Sequence, residues 1–285
     1  MADSPTFLMC PPTYFDVRYV INPWMHGNEG TVGAGDAHAQ WQALHALVTK
    51  ELGAEVALVI PLVIPREGLP DIVFTANAGL TRSRVCIPAR FRCPERQGEE
   101  THYEAWFRAH GYRVVPPPAG VAFEGAGDAL FDASPGVGRC PLLWAASGFR
   151  TVPAAHAHLA DVFGAEVVPL GLEDPRFYHL DTCFCPLPDG HLLWYPPAFD
   201  DAGRAEVERR VPASRRLAVS EEAACGFACN AVCVGRTLVM HSLPPDARAL
   251  IEAWLAARGF ALRTTPLGEF LKAGGSAKCL TLAVD

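Results

Sequence analysis

Tyr103-Glu-Ala-Trp-Phe-Arg-Ala-His-Gly111-Tyr-Arg-Val-Val115 reads as a helix joined to a strand through one glycine, and the chain repeats this arrangement. Tyr103, Trp106 and Phe107 stand three and four residues apart, the spacing that puts side chains on one face of a helix. Gly111 suits the left-handed residue that ends a helix, and the residues after it favour a strand. Working outward, Trp41, Leu44, Leu47 and Val48 precede Gly53 and the run Glu55–Ile60. His158, Leu159, Val162 and Phe163 precede Gly164 and Glu166–Val168; Leu250, Ile251, Trp254 and Leu255 precede Gly259 and Phe260–Arg263. A less regular copy covers Asp201–Val219, with a helix around Arg204–Arg209 and a strand at Arg216–Val219.

Gly53, Gly111 and Gly164 are separated by 58 and 53 residues, and β-like runs lie between the helices at Asp71–Phe74, Leu142–Trp144, His191–Tyr195 and Thr237–Met240. Each unit therefore reads as two or three strands plus one helix. Five such units of similar length point to a closed array or propeller. No Ser- or Gly-rich linker divides the chain, so residues 1–285 read as a single α/β domain.

Half of the residues are apolar, enough for a substantial core, and only 19% are charged, too few for a solvated, disordered chain. A net charge of −7 and only three lysines, Lys50, Lys272 and Lys278, argue against a nucleic-acid partner, which needs clustered basic surface. The longest apolar run, Val56–Pro65, is interrupted by Pro61 and is too short to span a bilayer, and the first ten residues lack the pattern of a secretory signal. A cytoplasmic protein without a membrane partner is the expectation; oligomeric state is left open.

Ten cysteines, without a single Cys-x-x-Cys pair, favour neither a zinc site nor a disulfide scaffold in a chain this long. Cys183 and Cys185 alternate as on a strand, and Cys225, Cys229 and Cys233 run into a strand-like segment, so neither set need share a face. Nine are expected to be small buried hydrophobes. Cys279 differs, because Gly274-Gly275-Ser276 ahead of it allows close approach of the backbone to a ligand. A thiol nucleophile needs a base, and His179 with Asp181 two residues on would present a base and a carboxylate on one strand face. Glu124 lies among glycines in Glu-Gly-Ala-Gly-Asp128, and Arg96 and Arg150 lie in loops. Singly each is an ordinary feature. The loops that carry them follow strands in different units, and in a closed array such loops converge.

Together the segments FTANAG (74–79), FEGAGD (123–128), GFRT (148–151), FYHLDTCFCPL (177–187) and LKAGGSAKCLTL (271–282) resemble the guanidine-modifying, or pentein, superfamily. That superfamily comprises arginine deiminases, dimethylarginine dimethylaminohydrolases, amidinotransferases and arginine dihydrolases. The resemblance implies a five-bladed pentein α/β propeller of ββαβ repeats. It also implies Cys279 as nucleophile, His179 as general acid/base, Glu124 as the acid orienting the histidine, and Asp181 as a guanidinium-binding carboxylate. The Glu-Gly-x-Gly-Asp spacing at 124–128 is one residue longer than in deiminases. Arg150 matches the arginine that meets a substrate α-carboxylate, Arg96 a second substrate-side arginine, and Asn22, Asp71 and Ala273 further substrate contacts. No metal or organic cofactor is implied.

With ERQGEE (95–100) and FLKAGGSAKCLTL (270–282), the likeness is greatest to the arginine dihydrolases. The cyanobacterial enzyme carries a cyclodeaminase-like domain downstream, which this sequence lacks, so no ornithine-cyclising activity is expected. Deiminases and dimethylarginine hydrolases have an Asp where Asn77 stands. An amide offers both N–H and C=O, and so suits a neutral ureido product better than a carboxylate does. Retained citrulline would then be cleaved again to ornithine. A one-step deiminase or a dimethylarginine hydrolase is the nearest rival. Amidinotransfer is less favoured, and a non-catalytic pentein resembling the sixth translation initiation factor would not need Cys279 and His179.

Overall fold

In four of the five units an antiparallel strand pair stands ahead of the helix. The computed structural model describes residues 5–58, 68–132 and 140–285. Strand β1 (Thr6–Met9) is followed by the helix Ala34–Ala46, a π-helical turn Leu47–Glu51, and β2 (Glu55–Leu58), which runs parallel to β1. Next come β3 (Gly79–Arg82) and β4 (Val85–Pro88), an antiparallel hairpin; then the helix Glu100–Ala109 and β5 (Arg113–Val114), parallel to β4. The order repeats with β6 (Ala129–Phe131), β7 (Leu142–Ser147), the helix Ala154–Phe163 and β8 (Glu166–Gly171). It repeats again with β9 (Phe184–Leu187), β10 (His191–Trp194), the helix Asp201–Arg210 and β11 (Arg216–Ala218). The fifth copy is β12 (Val232–Val234), β13 (Thr237–His241), the helix Pro245–Ala256 and β14 (Ala261–Thr265).

Among the described residues the first unit has no first strand of its own. The last strand, β15 (Leu282–Val284), supplies it by pairing antiparallel with β1 in register Thr6–Val284. All five sheets are therefore three-stranded ββαβ units, and the two ends of the chain share one sheet. The first strands β3, β6, β9, β12 and β15 all border one central cavity, so they lie innermost.

The helices pack as their spacing predicts, except that Leu250, expected on the apolar face of its helix, is 57% exposed. Tyr103 and Phe107 are fully buried, as are Leu159, Val207, Ile251 and Leu255 from the other helices, each burial worth roughly 1.5–3 kcal/mol. Gly53, Gly111, Gly164 and Gly259 all have positive φ, which a side chain would resist, and each ends its helix as expected. Two further expectations fail. Asp71–Phe74 is not a strand: with Pro70 fixing the first φ, Pro70–Val73 forms a 3-10 turn and Thr75–Ala78 another, their apolar residues being buried in the turns. His179 and Asp181 do not lie on a strand either, since Leu180–Thr182 is a 3-10 turn.

Val59 and Ile60 of the expected second strand, and the apolar run as far as Pro65, lie outside the described residues. Among the described residues no helix is long and apolar enough to cross a membrane. All ten cysteines are free; of the nine expected to be buried, five are, while Cys93, Cys225 and Cys233 are half-buried and Cys140 is exposed.

Candidate active site

The five inner strands are each preceded by a tight turn, and these turns meet. Asn77 precedes β3, Glu124 and Asp128 precede β6, His179 and Asp181 precede β9, and Cys279 precedes β15. Hydrogen bonds stitch the turns together. Thr182 Oγ1 donates to His179 O at 2.6 Å and shapes its own turn. Asp128 accepts from Leu180 N at 3.2 Å and from Thr151 N at 3.1 Å, and Thr151 Oγ1 accepts from Glu124 N at 3.0 Å. Ala76 N donates to Cys279 O at 3.1 Å. Gly127 is required for space: a Cβ there would lie 2.3 Å from Asn77 Nδ2.

Cys279 is 2% exposed, with its Sγ 3.5 Å and 3.8 Å from the Asp181 carboxylate oxygens. Burial, and then the Asp181 charge, push the thiol well above its ordinary range; hydrogen bonding from Ser276 and Asn230 and the charge of Lys278 offset this only in part. At neutral pH, without a ligand, the sulfur is a thiol that can donate to Asp181. Burial likewise lifts Asp181 to about 6 against the opposing charges of Lys278 and His179.

His179 Nε2 meets Glu124 Oε2 at 2.8 Å, and Glu124 Oε1 accepts from Arg92 N at 3.1 Å. Burial opposes ionisation of Glu124. The hydrogen bond from His179 and the charges of Arg150, His179 and Arg96 outweigh it and bring the carboxyl down to about 2. Because Glu124 stays ionised, Nε2 carries the proton in the bond and Nδ1 is left for proton transfer.

On the recognition side, Arg96 is held by Glu99 through two bonds of 2.9 and 2.8 Å. It also donates to Asp71 O at 3.2 Å and to Asn77 Oδ1 at 2.8 Å. A guanidinium only donates, so the Asn77 carbonyl must face Arg96, and Asn77 Nδ2 donates to Glu124 O at 3.2 Å. The expectation that both ends of this amide are open is thus corrected: its oxygen is taken, and one N–H remains. Arg150 lies over the Tyr178 ring and donates to Ile21 O at 2.7 Å and Glu124 Oε2 at 3.3 Å.

Asp71 Oδ2 accepts from Tyr19 at 2.9 Å, whereas Oδ1, wholly buried, has no partner among the described residues. Asn22 Nδ2 donates to Ala273 O at 3.1 Å, tying the 21–25 loop to the nucleophile loop. Gly274, at φ +81°, turns that loop, and a Cβ there would meet Tyr178 Oη at 2.9 Å. Asn22, Asp71, Asn77, Arg96, Arg150, Ala273 and Cys279 line one narrow chamber. Glu124 adjoins it through Arg150 and Asn77, Asp181 through Cys279, and His179 through its bond to Glu124. All ten residues singled out in the sequence are therefore brought together. A wider vestibule, bordered by Pro23, Arg92, Phe149 and Pro175, opens beside the chamber and shares Ile21, Asn22, Arg150 and Tyr178 with it.

Two buried participants were not singled out, Glu99 and Asn230. Glu99 belongs to the quoted ERQGEE run, three residues after Arg96 and so one helical turn away. Asn230 stands two residues before β12, as Asn77 does before β3, and that repeat position was the available signal.

The five ββαβ units and their converging turns define the pentein architecture. No protein-family model matches the chain. It is 49% identical over 284 residues to a bifunctional arginine dihydrolase/ornithine cyclodeaminase of Synechocystis, covering all of this chain but only 38% of that protein. It is 41% identical to the N(G),N(G)-dimethylarginine dimethylaminohydrolase of Mycobacterium tuberculosis, covering 98% of this chain and 85% of that one. Among solved structures, the product-bound N-terminal domain of an arginine dihydrolase of the cyanobacterial ornithine–ammonia cycle superposes with a TM-score of 0.91. The two are 49% identical, and the alignment covers 99% of this chain and 98% of that domain. The chain belongs to the family of guanidine-modifying hydrolases that includes the arginine dihydrolases and dimethylarginine dimethylaminohydrolases.

Proposed function

We propose that this chain is an arginine dihydrolase, converting arginine and two waters to ornithine, carbon dioxide and two ammonia. In this reading the guanidinium pairs with Asp181 and brings its electrophilic carbon to Cys279. The α-carboxylate meets Arg150, and the α-ammonium meets the vacant Asp71 Oδ1 and Ala273 O, with Asn22 alongside. A bound cation cancels the Asp181 charge that holds the sulfur as a thiol. The thiol proton passes to His179, Cys279 Sγ attacks the guanidinium carbon, and His179 returns the proton to the departing ammonia. A covalent thiouronium remains. His179 then takes a proton from water, which attacks the same carbon and releases citrulline and the thiol.

The second round repeats the attack on the ureido carbon and expels the second ammonia. A carbamoyl thioester is left on Cys279, and water cleaves it to a carbamate of ornithine, which loses carbon dioxide.

Asn77 carries the choice of two rounds over one. Its oxygen is fixed by Arg96 and one N–H by the Glu124 carbonyl, so it presents its remaining N–H, which suits a ureido oxygen. An Asp here would present only acceptors. The relatives support this reading: the dihydrolase domain has been solved bound to substrate, to product and, in an Asn-to-Ser variant, to a covalent reaction intermediate.

The test is mass-spectrometric analysis of products from arginine, citrulline and asymmetric dimethylarginine supplied separately. Ornithine with two ammonia per arginine, and turnover of citrulline, are expected. Asn77→Asp is expected to consume arginine and accumulate citrulline. A parent protein that stops at citrulline is a deiminase instead. The 41% identity to a dimethylarginine hydrolase makes dimethylamine release, with arginine ignored, the other decisive result.

A further inference from the structure

Four of the five units contribute Asn77, Glu124, His179 with Asp181, and Cys279 to the site, each from the turn before the innermost strand. The fifth unit's residue at that place is Asn230, which is fully buried and whose side chain makes four hydrogen bonds. Its Oδ1 accepts from Cys279 N at 3.1 Å and from Ser276 N at 3.0 Å. Its Nδ2 donates to Asp181 O at 3.1 Å and stands 3.0 Å from Cys279 Sγ.

The partners settle which way the amide points. Two backbone N–H groups can only meet its oxygen, and the Asp181 carbonyl can only meet its nitrogen. The contact on sulfur is therefore made by a donor. A thiol can tolerate that donor while its own proton points at Asp181, whereas a thiolate is stabilised by it.

The turn that aims this amide is held in place. Phe227 adopts φ +59°, a conformation rare for a residue with a side chain and persistent only where the surroundings enforce it. Asn230 N donates to Phe227 O at 3.0 Å, and the Phe227 ring packs edge-on against Trp24 at 5.0 Å.

We propose that Asn230 is the catalytic residue of the fifth unit: its N–H holds the sulfur of Cys279 as a thiolate during attack, and its oxygen fixes the loop carrying that sulfur. This rests on the reading of Cys279 as the nucleophile. It gives the buried thiolate a fixed donor that stays in place when the guanidinium departs and the sulfur must leave the intermediate. The charged and titratable groups facing the sulfur are Asp181 from the turn before β9, Tyr178 in the same segment, and Lys278 next in the chain, with His179 acting on the Asp181 carboxylate.

Asn230→Asp separates the two halves of the role. A carboxylate keeps an acceptor for the Cys279 and Ser276 N–H groups but turns the donor on sulfur into an acceptor. The probe is 2-chloroacetamidine, a small amidinium alkylating agent, with Cys279 labelling read by peptide mass spectrometry across pH. For Asn230→Asp the labelling midpoint is expected to move up by about one pH unit or more, and kcat on arginine to fall about 100-fold with KM changed little. A purely structural clamp predicts the parent's midpoint and kcat in this variant, and that result overturns the proposal. Should Asn230→Asp fail to fold, Asn230→Ala, which adds no charge, must show the same upward shift. Failure of Cys279 to label in the parent also overturns it. Citrulline as the final product overturns only the dihydrolase reading and leaves the labelling result standing.

Discussion

Glu124 and Asp181 carry the same group, and both are wholly buried, yet their acidities move apart. Glu124 is surrounded by donors: His179 and Arg150 on Oε2, the Arg92 N–H on Oε1. Burial loses there, and the carboxyl is driven to about 2. Among the described residues only a thiol, 3.5 Å away, stands as a donor against the Asp181 oxygens, so burial wins and the carboxyl rises to about 6. Depth alone therefore decides nothing; the number of donors supplied by neighbouring turns does. The turn before β6 holds a permanent anion that fixes an imidazole, while the turn before β9 keeps an acceptor free for a cation. Two buried acids set apart in this way mark a division of labour at a site.

The comparison presupposes that Cys279 is the reacting atom, so its removal is the largest expected effect. Cys279→Ser should fold and lose activity on the order of 10³-fold or more, read as arginine consumed. Normal turnover in that variant would void the comparison altogether. Glu124→Gln and Asp181→Asn should each lower kcat/KM by about 10²–10⁴-fold, but their pH profiles should differ. An acid with a raised pKa is anionic above it and neutral below, so guanidinium binding through Asp181 is present above about pH 6 and fades below. The parent and Glu124→Gln should both show kcat/KM falling below about pH 6; a parent profile flat from pH 7 to 5 would show that Asp181 is not the cation's partner. Arg150→Ala comes next, with KM for arginine rising by the equivalent of about 1.5–3 kcal/mol. Agmatine, which lacks the carboxylate, should be a poor substrate for the parent, and the variant should narrow the gap. An unchanged preference for arginine would remove Arg150 from that role.

Much of this was legible in sequence because the five units repeat. Helical spacing and terminal glycines located the helices and the strands after them, since those depend on local periodicity and backbone conformation. The innermost strands were harder. Gly79–Arg82 and Ala129–Phe131 are short, and their neighbours across the axis, distant in sequence, bury them. The closure of β15 onto β1 is a contact between chain ends that no local pattern encodes. Asp71–Phe74 misled because burial, rather than pleating, explains its apolar run. Among the site residues, those in loops flanked by glycine stood out. Asn230 did not, lying in a segment read as strand and cysteine-rich core, and Glu99 was hidden among three glutamates in ERQGEE.

Glu99 offers the smallest and subtlest test, because it can behave like either member of the pair. It accepts two hydrogen bonds from Arg96, which by themselves would give it a low pKa like that of Glu124. Burial outweighs them, and its carboxyl rises from the ordinary 4.5 to about 7. Between those values the unfolded chain has released this proton and the folded chain retains it, so this group makes stability decline as pH rises through that window. Glutamine has no proton to lose and keeps one acceptor for Arg96. Arg96 also retains the Asp71 carbonyl, Asn77 and the Phe91 ring beneath it. Glu99→Gln should therefore remain active within a few-fold. Its deficit in melting temperature against the parent should shrink by a few degrees between about pH 4.5 and 7, at about 2–4 °C per kcal/mol for a chain of this size. A deficit that widens with pH, measured by thermal melts in matched buffers, would mean that Glu99 ionises early and anchors Arg96 as a full ion pair. Of these three carboxylates, two would then stand on the side of Glu124, and Asp181 would remain the one left for the guanidinium.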